Sequence, residues 1–100
     1  MTDCLKFTNE IREKVISNLK SHGAKKISIF GSYVREEATP ESNLDIIVEF
    51  GEVKGLITFI GIENELVELL GIKVDLLTEK SISPYLIDRI KKEAIVIYGW

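Results

Sequence analysis

The stretch GSYVREEATPESNLDIIVEF, Gly31 to Phe50, decides how this chain is read. It begins with a Gly-Ser pair directly after the short β-branched run ISIF (27–30), which reads as a buried strand. It ends in a second strand, NLDIIVEF (43–50), whose residues alternate. Leu44, Ile46, Val48 and Phe50 fall on one face, and Asn43, Asp45, Ile47 and Glu49 on the other. Asp45 therefore sits inside an apolar run, where a carboxylate is costly unless paired, hydrogen-bonded or bound to a metal. Asp75 interrupts a third strand, KVDLLT (73–78), in the same way, with Leu77 on its face and Val74 and Leu76 on the other. Two acids planted in two strands predict one shared acidic site on a sheet face. The competing reading is that each caps a strand start or pairs with Arg35, Lys26 or Lys73.

Outward from that stretch, helix and strand signals alternate. Thr8 is placed to N-cap a helix with Ile11, Val15, Ile16 and Leu19 at helical spacing, closed by Gly23. Ser32 reads as the N-cap of a brief helix over YVREEA (33–38), which cannot pass Pro40. GEVKG (51–55) turns into a helix whose stripe is Leu56, Phe59, Ile60, Leu66, Val67 and Leu70, with its glutamates facing water and Gly71 closing it. Ser83 and Pro84 start a last helix running to about Glu93, and AIVIY (94–98) is a final strand. With no repeat and no linker, residues 1–100 are expected to form a single α/β domain.

Bulk properties narrow the function. One hundred residues, 45% hydrophobic, suffice for one core. A net charge of −3 argues against an extensive nucleic-acid surface, and the basic cluster Arg89, Lys91 and Lys92 reads as a solvated helix face. Cys4, the one cysteine, can form neither an internal disulfide nor a zinc cluster. His22 lacks ligand partners at metal spacing and reads as a surface or helix-end residue, while Tyr33, Tyr85, Tyr98 and Trp100 are too scattered to form a stacking platform. Glu63, Glu65 and Glu68 break the longest apolar run, so no membrane span is expected. The N-terminus lacks a secretory layout, and the expectation is a cytoplasmic protein.

A glycine and a serine at a strand-to-helix corner suit a phosphate, which glycine allows to approach the backbone; Arg35 is close enough to reach it. Acids flanking such a corner suit divalent cations on a nucleotide's phosphates. Asn43 stands where a third acid would complete the set. Its amide oxygen can coordinate a cation but brings no charge, so affinity for metal should fall.

On Gly31-Ser32, Arg35, Ala38, Ser42-Asn43-Leu44-Asp45 and Asp75, the chain resembles the minimal nucleotidyltransferases (MNT) of the polymerase-beta-like superfamily, the antitoxin half of HEPN/MNT toxin–antitoxin pairs. The resemblance covers most of the chain. It implies a small mixed sheet of about four strands packed against helices, with ATP as substrate and two Mg²⁺ ions. Gly31, Ser32, Arg35 and Ser42 would contact the nucleotide; Asp45 and Asp75 would bind metal, and Asp75 would help activate the acceptor hydroxyl. Asn43 takes the place of a metal-binding aspartate. The implied activity is transfer of AMP to a tyrosine of a HEPN toxin, as a homodimer or hetero-oligomer. The other reading is a weakened or inactive nucleotidyltransferase-fold module that neutralises its partner by contact.

Overall fold

The computed structural model describes residues 7–39 and 41–99, so the readings that fall on Cys4, Pro40 and Trp100 lie outside the described residues. Helix α1 (Asn9–Ser21) starts where Thr8 caps it, the hydroxyl accepting from the Ile11 amide at 3.2 Å. His22 is the C-cap and Gly23, at φ +91°, turns the chain out. Strand β1 (Ala24–Phe30) leads through a 3₁₀ turn, Gly31–Tyr33, and a loop to β2 (Leu44–Phe50). Then follow α2 (Leu56–Leu70), β3 (Val74–Leu77), a second 3₁₀ turn (Glu79–Ser81), α3 (Pro84–Glu93) and β4 (Ile95–Tyr98). Ser83 caps α3 and Pro84 occupies its first turn, as the sequence predicts.

The four strands form one mixed sheet in the order β3-β2-β1-β4, with β2 and β3 parallel and β1 antiparallel to both β2 and β4. Its faces match the alternation in the sequence. Ile27, Ile29, Leu44, Ile46, Val48, Val74, Leu76 and Ile97 join Val15 and Leu19 of α1 and Ile62 and Leu66 of α2 in the main core. Burying each such side chain contributes about 1.5–3 kcal/mol. On the opposite face Phe30, Ile47 and Ile82 pack with Leu77, Ile87, Ile90 and Ala94, so α3 covers part of that face. Asp45 and Asp75 share it, one residue inside the N-terminal ends of β2 and β3.

Three local expectations are corrected. The helix predicted over 33–38 does not form: after the single 3₁₀ turn, Glu36 adopts φ +60°, outside the right-handed helical region, and Ala38 is buried in the core. Ser32 therefore lies inside the turn rather than capping a helix, and among the described residues no α-helix N-terminus begins at the corner. On α2 the inward line is Phe59, Ile62, Leu66 and Leu70; Ile62 is 2% exposed, whereas Leu56 in the first turn is 74% exposed and Ile60 45%. Not every glutamate of α2 faces water only, since Glu63 accepts the Leu76 amide at 2.8 Å and so occupies a peptide N–H of the sheet's edge strand.

Candidate active site

The site is assembled where β1 ends and β2 and β3 begin. Gly31 holds φ +83°, and a Cβ there would be driven into the Asp45 carboxylate. Glycine is required twice, for its backbone angle and for its missing side chain. The Gly31 carbonyl accepts the Val34 and Arg35 amides at 3.0 and 3.1 Å, and the Ser32 carbonyl accepts the Glu37 amide at 2.8 Å. These bonds wind the corner tightly around Gly31, which lies directly against the Asp45 carboxylate.

Asp45 pairs in register with Phe30 on one side and Asp75 on the other. Asp75 is exposed and Asp45 half-buried. Burial, and then the neighbouring Asp75 charge, push the Asp45 carboxyl up to about 6, while Arg35 pulls the other way. The alternative pairings raised by the sequence are absent: Arg35 bonds Glu93 at 2.7 Å and Glu37 at 3.5 Å, and Lys73 reaches Glu41 at 3.7 Å. Among the described residues neither strand aspartate carries an ion pair. Asn43 sits at their side, its Nδ2 donating to Asp75 Oδ2 at 3.0 Å. Ser42 acts within its own loop, where its Oγ accepts the Thr39 amide at 3.0 Å and closes the 39–42 turn that delivers Asn43.

Glu93 belongs to this neighbourhood, and the sequence reading missed it. Its Oε2 accepts the Gly31 amide at 2.9 Å while Oε1 takes the Arg35 guanidinium. Arg35, then the Gly31 amide, hold the Glu93 carboxyl below the usual range despite its partial burial. A signal was present in the sequence. A carboxylate in the last turn of a helix opposes the helix dipole, so it calls for a partner elsewhere. Tyr33, which follows Ser32, buries its hydroxyl without a partner, and burial raises its pKa.

The donor set suits a hard cation. Two carboxylates side by side, one of them resisting ionisation for want of a counter-charge, are the environment a divalent ion relieves. Asp45, Asp75 and the amide oxygen of Asn43 are the groups that could hold Mg²⁺. Among the described residues no three His, Cys, Asp or Glu side chains cluster as a metal site, and position 43 supplies an amide.

The four-strand mixed sheet carries two register-matched strand carboxylates beside a glycine-serine corner. Residues 8–97 match the nucleotidyltransferase domain family, and the chain belongs to that family. A Methanocaldococcus jannaschii protein, provisionally named a protein adenylyltransferase, is 52% identical over 87 residues, covering 87% of this chain and 94% of the relative. The protein adenylyltransferase MntA of Thermococcus cleftensis is 39% identical over 75 residues, covering 75% of this chain and 76% of its own. Among solved structures, a toxin–antitoxin complex with AMP-PNP matches at TM-score 0.80 and 24% identity, over 89% of this chain and 73% of that chain. A complex of tri-AMPylated Shewanella oneidensis HEPN toxin with MNT antitoxin matches at TM-score 0.74 and 22% identity, over 91% of this chain and 71% of that chain. At those identities the two structures establish a common fold. No helix among the described residues is long and apolar enough to cross a membrane.

Proposed function

We propose that this protein acts as a single-domain cytoplasmic antitoxin that transfers AMP from ATP to a tyrosine hydroxyl of a HEPN toxin. The observation that carries the reading is the in-register pairing of Asp45 with Asp75 beside the Gly31-Ser32 corner. Relatives named protein adenylyltransferase and fold neighbours whose complexes contain HEPN toxin, AMP groups or AMP-PNP support the acceptor and the nucleotide. The stable assembly is then a hetero-oligomer with the toxin.

In this reading Gly31 and Ser32 receive the triphosphate, with Arg35 and Ser42 flanking it. Mg²⁺, held by Asp45, Asp75 and Asn43, would supply positive charge to the phosphates. The acceptor oxygen bonds to the α-phosphorus as the bond to the pyrophosphate oxygen breaks, and pyrophosphate leaves with its electron pair. Asp75, exposed at the rim, is placed to take the hydroxyl proton from an approaching protein. Asp45, tucked against Gly31, supplies fixed charge from below.

A second reading has its own observation. Asn43 already satisfies Asp75 without a cation, which favours a module that neutralises its toxin by contact. Incubation with ATP, Mg²⁺ and a candidate HEPN toxin partner, followed by intact mass measurement, separates the two. AMP-sized increments on the toxin support transfer. An unmodified toxin held in a stable complex supports the contact module.

A further inference from the structure

Glu93 makes two contacts that no local pattern explains. It is the last residue of α3, where the helix dipole opposes a carboxylate, yet both its oxygens face the 3₁₀ corner. One oxygen accepts the backbone amide of Gly31, 62 positions earlier in the chain, and the other holds Arg35. Gly31 is the residue whose α-carbon lies against the Asp45 carboxylate, in a backbone conformation that only glycine adopts readily. The bond to its amide braces that conformation from behind. The bond to Arg35 fixes a flexible, half-exposed cation at the same corner.

We infer that Glu93 is a positioning residue of the nucleotide site: its carboxylate locks the Gly31 peptide and the Arg35 guanidinium into one rigid unit, so that the corner presents Ser32 and Arg35 to the triphosphate without reorganisation. This rests on the proposed nucleotide site and names a residue from outside its motif that makes it work. Preorganisation of this kind acts on ligand affinity, because the cost of ordering the corner is met during folding rather than during binding. Glu93 keeps its grip when nucleotide arrives; the phosphates do not displace it.

The test is calorimetric titration of a non-hydrolysable ATP analogue into wild type and Glu93→Gln, with thermal melts of both. Loss of one charge-assisted hydrogen bond should weaken binding about tenfold. In turnover the same variant should raise KM for ATP more than it lowers kcat, and Glu93→Asp, too short to span both partners, should not rescue it. A folded Glu93→Gln protein with wild-type affinity overturns the inference while leaving the nucleotide site intact. A wild type that binds no analogue overturns both. Amide exchange gives a further readout: Gly31 should be protected in the nucleotide-free wild type and lose that protection in Glu93→Ala, and equal protection in both overturns the brace.

Discussion

Asn43 donates its side-chain amide to Asp75 Oδ2 across 3.0 Å, so the carboxylate nearest the solvent has a neutral partner. Asn43→Asp replaces that donor with a third carboxylate. In metal-free buffer the variant should melt lower than wild type, since three neighbouring charges repel; with Mg²⁺ the order should reverse. If AMP transfer is the function, toxin modification should accelerate by about 10²- to 10³-fold, the usual effect of one well-placed charge on a transition state. Intact mass against time reads the rate. An unchanged rate together with unchanged Mg²⁺ dependence of melting would remove position 43 from the metal site.

Gly31→Ala should be among the most damaging single-methyl additions in the chain. The new Cβ meets the Asp45 carboxylate, and φ +83° is unfavourable for alanine. A loss of about 2–4 kcal/mol is expected from strain and overpacking together, read as a fall in the urea midpoint. Gly23→Ala is the control: its φ is +91° but nothing lies near, so it should lose only about 1 kcal/mol.

The pH profile of metal-free stability should carry the signature of Asp45. Its carboxyl stands at about 6 in the folded chain against about 3.9 when unfolded. Between those values the folded state binds more protons, so stability falls as pH rises from about 4 through about 6 and then levels off. Discounted for its half exposure, the drop is on the order of 1 kcal/mol. Glu93, held below its ordinary range, has the opposite slope and loses its contribution toward acid. Urea titrations from pH 4 to 7 should show the Asp45 slope vanish in Asp45→Asn and flatten when Mg²⁺ is added.

Leu66→Ala and Leu56→Ala make the same chemical change on one helix with opposite expectations. Leu66 is fully buried in the main core and should lose about 2–5 kcal/mol. Leu56 is mostly exposed and should change stability by no more than about 0.5 kcal/mol. Comparable losses would mean that the first turn of α2 is covered in solution.

What the sequence made legible was whatever repeats or caps within a few residues. The alternation from Leu44 to Phe50 fixed which face carried Asp45, and Thr8 and Ser83-Pro84 marked helix starts because a cap needs only its own turn. The segment 33–38 misled because its composition suits a helix, while Glu36 takes a left-handed φ of +60° that ends the turn. Ile62 and Leu56 exchanged places for a different reason: helical spacing defines a face but not how far along it the sheet extends. Of the site, Gly31, Asn43, Asp45 and Asp75 lie together, while Ser42 bonds within its own loop and Arg35 turns to Glu93 and Glu37. Glu93 showed only that it needed a partner, not which one, because its partners are 58 and 62 positions away and no periodicity links them.

The parallel pairing of Asp45 with Asp75 also bears on misfolding. A strand slipped by one residue turns every side chain to the other face. For β3 that would press Asp75 in among Ile62, Leu66 and Leu44 and expel Val74 and Leu76. An unpaired carboxylate buried there loses several kcal/mol, more than any gain from mismatched contacts. The two aspartates thus serve as registration marks that reject the wrong alignment of two short, apolar strands. A variant with both replaced by leucine would lose more than its chemistry: it would lose the penalty that keeps β2 and β3 from pairing out of step.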